Sequence, residues 1–207
     1  MPNFEYELRL CSEKVSHIAG VDEVGRGALA GPIVAAAVVF DNHNELMDKL
    51  KGITDSKVLS EKKRDEFDPL IKSLALEYGF GLVSSIEIDK FGIGAANIIA
   101  FKRALDSLKK CDFALIDGRK FRGFEYQYLC LEKGESKSLS IAAASIIAKV
   151  YRDKIMIDLD KNHKKYDFCN NKGYGSPIHL EALRQNGVSK IHRKSFLHFL
   201  EEQNTLI

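Results

Sequence analysis

Compact apolar runs alternate with amphipathic stretches along this chain, and the runs predict a sheet. Ile18–Val21 and Pro32–Phe40 read as two strands joined by a glycine-rich turn. The second, "PIVAAAVVF", is small or β-branched at almost every position, the pattern of a strand buried on both faces. Glu77–Ser85 predicts a third strand, Phe113–Gly118 a fourth and Glu125–Glu135 a fifth. The last two each end in a glycine and an acid.

Helical periodicity fills the intervals. Ser60 suits an N-cap for a helix through Leu76, with Pro69 expected to delay, kink or break it. Gly94–Lys110 is amphipathic and ends in lysines, which favour a helix C-terminus. A long helix is predicted from about Lys137 to Lys161. Beyond it, Ser176 is placed to cap a helix with Pro177 in its first turn and Gly187 at its end. An amphipathic piece, Phe196–Gln203, closes the chain. This order predicts an α/β, three-layer domain with a mixed sheet, followed by a helical subdomain from about Ile155.

Composition narrows the class. The 207 residues are 45% hydrophobic and 29% charged, which suits one domain with a sizeable core. No apolar run reaches the ~20 residues that span a bilayer, and the N-terminus is charged and mixed, unlike a signal peptide. Cys11, Cys111, Cys130 and Cys169 are scattered, as expected of reduced thiols in a cytoplasmic protein. Net charge is only +2, but Lys161–Lys194 holds eight Lys/Arg against two acids. Such a segment reads either as a solvated basic face or as a footprint for phosphates.

The candidate chemistry sits where acids interrupt buried strands. Asp22 follows "IAGV" and Asp117 follows "FALI". A buried carboxylate is costly unless it is paired or metal-bound. Acids gathered at strand ends, without His or Cys partners, point to a hard cation, Mg²⁺ or Mn²⁺. Glu23 neighbours Asp22 and would face the opposite side of a regular strand, so a shared site requires the strand to end or twist there. Glu135 is the next acid, on a Gly134 turn before the long helix. Asp153 competes with it but reads as a surface acid beside Arg152. The "GRGALAG" turn comes close to a dinucleotide-binding loop. It leads into a strand rather than a helix, and two carboxylates precede it, so that reading fails.

On the long helix Ser138, Ala142, Ser145, Lys149 and Arg152 recur at steps of three and four, predicting a stripe of hydroxyls and positive charge open to phosphates. Tyr174 lies between glycines in "NNKGYGS", where an aromatic ring can serve as a stacking platform.

Five blocks, "GVDEVGRGALAGP", "DSKVLSEKKR", "ALIDG", "KGESKSLSIAAASIIAKVYRD" and "NKGYGSPIHLEALRQNGVSKIHRKSF", together resemble the successive signatures of ribonuclease HII. The resemblance implies a ribonuclease H-like fold with a mixed five-stranded sheet over residues 1–154 and a helical, substrate-contacting extension over 155–207. It implies an endonuclease that cuts the RNA strand of RNA/DNA hybrids and the 5′ side of ribonucleotides in duplex DNA, with two Mn²⁺ or Mg²⁺ ions. The ends left are 3′-hydroxyl and 5′-phosphate. The implied metal ligands are Asp22, Glu23, Asp117 and Glu135. The family usually carries aspartate at the last position, whereas the related ribonuclease HIII group has glutamate there. Gly25, Arg26 and Gly27 would read the ribose 2′-hydroxyl through the backbone, and Tyr174 would pack on the adjoining sugar. Asp55, Ser56, Lys57, Ser145, Lys149 and Arg152 would hold phosphates. A monomer with no obligate protein partner is expected. The competing readings are another two-metal nuclease of this fold and a binding module without activity.

Overall fold

The computed structural model describes residues 1–41 and 43–198. Five strands form one sheet in the order β3-β2-β1-β4-β5. They are β1 (Ile18–Val24), β2 (Ile33–Val39), β3 (Glu77–Val83), β4 (Phe113–Asp117) and β5 (Tyr128–Leu131). β1, β2 and β3 run as an antiparallel meander, whereas β1, β4 and β5 are mutually parallel. The sheet is therefore mixed, as expected. Its parallel part brings the carboxyl ends of β1 and β4 to one edge, where open α/β sheets place their ligands.

β2 is buried at all seven positions because helices cover both faces. One layer is α6 (Leu139–Asp160), flanked by α3 (Glu61–Leu74) and α2 (His43–Lys49). The other is α5 (Ile93–Asp106), preceded by α4 (Ser85–Phe91). Small residues set the spacing between layers. A Cβ on Gly20 of β1 would lie 2.1 Å from the Ser140 carbonyl carbon, so α6 rests directly on the strand backbone. A third apolar cluster joins Ala30 and Met156 to Tyr166 and Phe168, and to α8 (Pro177–Asn186) through Ala182 and Leu183. α6 runs without a break from the sheet into this cluster, which also takes in α7 (Phe168–Asn171).

Several elements differ from expectation for definable reasons. α3 continues through Pro69. The carbonyl that Pro69 cannot bond belongs to Asp65, and both residues are exposed, which leaves it open to solvent. β5 is shorter than Glu125–Glu135 because Phe124 and Tyr126 are drawn into an aromatic cluster with Phe121 and Tyr128. At the other end Lys133 takes a left-handed conformation, φ 55°, that turns the chain out of the sheet. α1 (Glu5–Ser12), α2 and α4 lack a sequence signal long enough to stand out. Residues 194–196 form a 3₁₀ turn, and most of the piece expected over Phe196–Gln203 lies outside the described residues. Among the described residues no helix is long and apolar enough to cross a membrane.

Candidate active site

β1 does not end before its acids. It continues through Val24 in regular register, with Asp22 opposite Ala36 and Glu23 opposite Ala35. The two carboxylates therefore leave opposite faces of the sheet. Asp22 turns toward α6, where the Ser145 hydroxyl hydrogen-bonds it. Glu23 turns toward α5, where Asn97 hydrogen-bonds it and Arg26 stands 3.9 Å away. The site is thus wrapped around the sheet edge rather than built on one face. Asn97 gave no sequence signal beyond being the one amide in an apolar helix.

Asp117 closes β4 beside them. Its Oδ1 accepts a 2.7 Å hydrogen bond from the Gly134 N–H, which ties β4 to the turn that carries Glu135. That turn, Gly134–Ser136, is a 3₁₀ element between β5 and α6. Gly134 is closely packed: a Cβ would fall 2.7 Å from Ile141 Cδ1, which would have to move. A cleft of ≈ 510 Å³ opens on the α5 side, lined by Glu23, Arg26, Asn97, Asp117, Arg119 and Phe121 among others.

The electrostatics mark these acids as one group. Burial raises the Asp22 carboxyl well above the ordinary carboxylate range, and the charges of Glu23 and Asp117 push it the same way. Burial and Asp117 raise Glu23, with Arg26, Asn97 and Lys57 opposing. Glu135 is raised by burial and then by Asp117. At Lys57 burial lowers the ammonium, but Asp22, Asp55, Glu135 and Asp117 outweigh it and raise the pKa. One side of the ensemble is unsatisfied: Glu135 Oε2 is buried with no hydrogen-bond partner. An all-oxygen set with surplus negative charge and an orphaned oxygen fits a hard divalent cation. Among the described residues no three His, Cys, Asp or Glu side chains stand at ligating distances from a common point.

The neighbouring loop is stitched together from beneath. Gly25 has φ +90°, and a Cβ there would lie 2.1 Å from Arg152 Nε. Gly27 is different: it is exposed, and nothing lies within 4 Å of its Cβ position. Leu29 and Ala30 donate their N–H groups to the Gly173 carbonyl, so the loop that bears Tyr174 is pinned to the glycine-rich turn. Tyr174 itself is half-exposed with the Arg152 guanidinium 5.2 Å from its ring centroid. Its carbonyl accepts a 2.8 Å bond from His179 Nδ1. The Ser189 N–H donates to His192 Nδ1, so His192 Nε2 carries the proton and donates to His179 Nε2 at 3.0 Å. Burial, then the neighbouring His179, depresses His192 to about 4, which keeps this pair neutral.

The long helix corrects the sequence reading most. Its expected solvent-facing stripe is buried from Leu139 to Ala148. Ser138 caps the helix, and Ser145 Oγ lies 2.8 Å from the buried Ser56 Oγ. Asp153 is no surface acid: it is buried and bonds Lys149 Nζ at 2.7 Å. Arg152, expected at a phosphate, is wholly buried and donates to the carbonyls of Pro32, Lys172 and Ala30 at 2.9, 2.9 and 3.2 Å. Arg193, one of the basic residues counted between Lys161 and Lys194, is also wholly buried. It donates to Gly31 O and Arg26 O, both at 3.0 Å. The packing of helix against loop, which no sequence window contains, converts both arginines from phosphate ligands into loop supports.

The sequence profile described as Ribonuclease HII matches residues 19–199. The protein named Ribonuclease HII from Clostridioides difficile (strain 630) is 49% identical over 182 residues, covering 87% of this chain and 70% of that one. Among solved structures, the ribonuclease H2 from Pyrococcus horikoshii OT3 superposes with a TM-score of 0.74 at 28% identity, over 90% of this chain and 98% of that one. Bst-RNase HIII, solved in complex with Mn²⁺, shares the fold with a TM-score of 0.67 at 21% identity, over 95% and 72% of the two chains. Fold and sequence thus agree, and the chain belongs to the ribonuclease HII family, ribonucleases H that hydrolyse the RNA strand of RNA/DNA hybrids.

Proposed function

We propose that this chain also incises duplex DNA on the 5′ side of an embedded ribonucleotide, using two divalent cations held by Asp22, Glu23, Asp117 and Glu135. The observation that carries the reading is the meeting of Asp22 and Glu23 of β1, Asp117 of β4 and Glu135 of the following turn, with Asp22, Glu23 and Glu135 raised by burial and neighbouring charge, beside a glycine turn with open space. When bound, such cations supply an activated water and stabilise the leaving oxygen. Mg²⁺ and Mn²⁺ both suit an all-carboxylate set. The attacking water oxygen bonds to phosphorus as the bond to the 3′-oxygen breaks, leaving 3′-hydroxyl and 5′-phosphate.

The chain's own residues place the strand. The Gly25–Arg26–Gly27 backbone approaches the ribose, whose 2′-hydroxyl alone separates RNA from DNA at one nucleotide. Tyr174, pinned to the same loop, packs on the adjoining sugar. Lys57 holds phosphate, and the buried Ser56 backs it from the adjoining position. Ser145 and Lys149 act behind them, through Ser56 and Asp153. The cluster that joins the end of α6 to α7 and α8 forms the substrate-contacting part.

A duplex with a single ribonucleotide, assayed with Mg²⁺ and Mn²⁺ in parallel against an all-DNA duplex, tests the proposal. Incision only 5′ of the ribonucleotide is expected, and equal cutting of the all-DNA control refutes it. Gly27→Ala sharpens the test. The protein leaves room for that methyl group, so the melting temperature should hold. Incision should fall about tenfold or more, the worth of one lost hydrogen bond. Parent-like incision would remove Gly27 from the reading of the sugar.

Glu135 and Asp153 separate in the same assay. Glu135→Gln should lower turnover by about 100-fold, the range seen when the ligand sphere of a metal is disturbed. Asp153→Asn should change turnover by only a few-fold, because its partner is Lys149. The reverse order would move the fourth ligand onto α6.

A further inference from the structure

Outside the carboxylate edge the chain buries another acid, which the proposed chemistry does not use. Glu7 lies on α1, ahead of residue 19 where the family match begins, and is 0% exposed. Tyr6, Leu10 and Cys11 of the same segment pack against Ile18, Leu115, Leu131 and Ile141, which holds α1 against β1, β4, β5 and the start of α6. Burial raises the Glu7 carboxyl above its ordinary value, and Oε2 has no partner. An apolar side chain would fill this position at lower cost. What the carboxylate alone supplies is an acceptor.

Glu7 Oε1 accepts from Ser138 Oγ at 2.6 Å and from the Ser140 N–H at 3.2 Å. Ser138 Oγ in turn accepts from the Ile141 N–H at 3.1 Å. Glu7 and Ser138 thereby satisfy two of the free N–H groups at the start of α6. Asn3 straps the same residues through the backbone: its N–H donates to Lys137 O at 3.2 Å, and its carbonyl accepts from the Leu139 N–H at 2.9 Å. Lys137 and Ser138 donate their own N–H groups to Gly134 O at 2.9 and 2.8 Å. Gly134 is the residue that bonds Asp117, and Glu135 follows it. An unbroken path of short hydrogen bonds runs from Glu7 to the turn between two candidate ligands.

We propose that Glu7 is a positioning residue for metal binding, holding the Gly134–Ser136 turn so that Glu135 and Asp117 present a set geometry to the cation. This rests on the reading of Glu135 as a ligand. Groups that orient ligands commonly change metal affinity by about 10–100-fold when removed.

The test is titration of the full chain with Mn²⁺ alone, without nucleic acid, followed by calorimetry or by the loss of free-Mn²⁺ EPR signal. Glu7→Ala should weaken Mn²⁺ binding by about tenfold. Glu7→Gln should bind as the parent does, because its amide oxygen still accepts from Ser138 and Ser140. Glu135→Gln should weaken binding and calibrates the readout. Ser138→Ala breaks the same link while leaving α1 intact, and should also weaken binding; it decides the matter if Glu7→Ala does not fold. Parent-like affinity in Glu7→Ala or Ser138→Ala, with affinity lost in Glu135→Gln, overturns the positioning role and leaves the ligand set standing. Equal loss in Glu7→Gln and Glu7→Ala overturns the acceptor argument. Unchanged binding in Glu135→Gln overturns the ligand reading on which the inference rests.

Discussion

Asp117→Asn should lower cleavage of an RNA/DNA hybrid by about 10³-fold or more, the several kcal/mol expected when a metal-holding charge is lost, while the fold in chelator stays at least as stable as the parent's. The two halves of this expectation share a geometric origin. Asparagine keeps the Oδ1 that accepts from the Gly134 N–H at 2.7 Å, so the turn bearing Glu135 stays tied to β4. It removes only the charge. That charge, after burial, helps to raise the carboxyls of Asp22, Glu23 and Glu135. Groups raised in the folded state bind more protons there than in the unfolded chain. Their contribution to stability is therefore greatest at acid pH and lost as pH rises through the raised values. Without divalent cation the charge of Asp117 opposes ionisation of its neighbours, and deleting it relieves that repulsion. Melting curves in chelator, read beside cleavage and duplex-binding assays, check both halves. Cleavage at the parent rate would take Asp117 out of the mechanism, and a large drop in melting temperature would mean that its role is structural.

The same edge shows why so much of the site was legible in the sequence. A strand buried on both faces tolerates almost nothing but small and β-branched residues, so Asp22 and Asp117 stood out against "IAGV" and "FALI". The positions of the strands along the chain followed from the apolar runs, whereas the sheet order and the parallel pairing of β1 with β4 that brings the two acids together are tertiary facts. What periodicity could not supply was the state of α6. A helix covered by β1 and β2 on one side and by α3 and α7 on others buries its polar stripe as well as its apolar one. Ser138 and Ser145 thus became internal hydrogen-bond partners, and Asp153 a buried mate for Lys149. Asn97 and Glu7 were missed because their partners lie 74 and 131 residues away in the chain, at Glu23 and Ser138. Such pairings are tertiary facts and leave no local pattern.

Arg152 carries the strongest consequence of that difference. Arg152→Met keeps the length and apolar bulk of the side chain but leaves the carbonyls of Pro32, Lys172 and Ala30 without their donor. Stranding buried carbonyls in this way should destabilise the fold by about 3–5 kcal/mol. In a chain of this size that lowers the melting temperature by about 10 °C or more. A residue that merely touched phosphate would behave otherwise. It would leave the melting temperature alone and make the salt dependence of binding shallower, by about 0.9 in slope per lost contact. Lys57→Ala, at an exposed side chain, should show that second behaviour. Arg152→Met should show the first, with the salt slope unchanged. It should also blur discrimination between ribonucleotide and deoxyribonucleotide, because Arg152 fills the space under Gly25 and stands over the Tyr174 ring. A melting temperature equal to the parent's with a shallower salt slope would return Arg152 to the phosphate role that its place on the helix suggested. The expected pattern instead makes it the strut that holds the Gly25–Gly27 turn and the Tyr174 ring in one rigid piece.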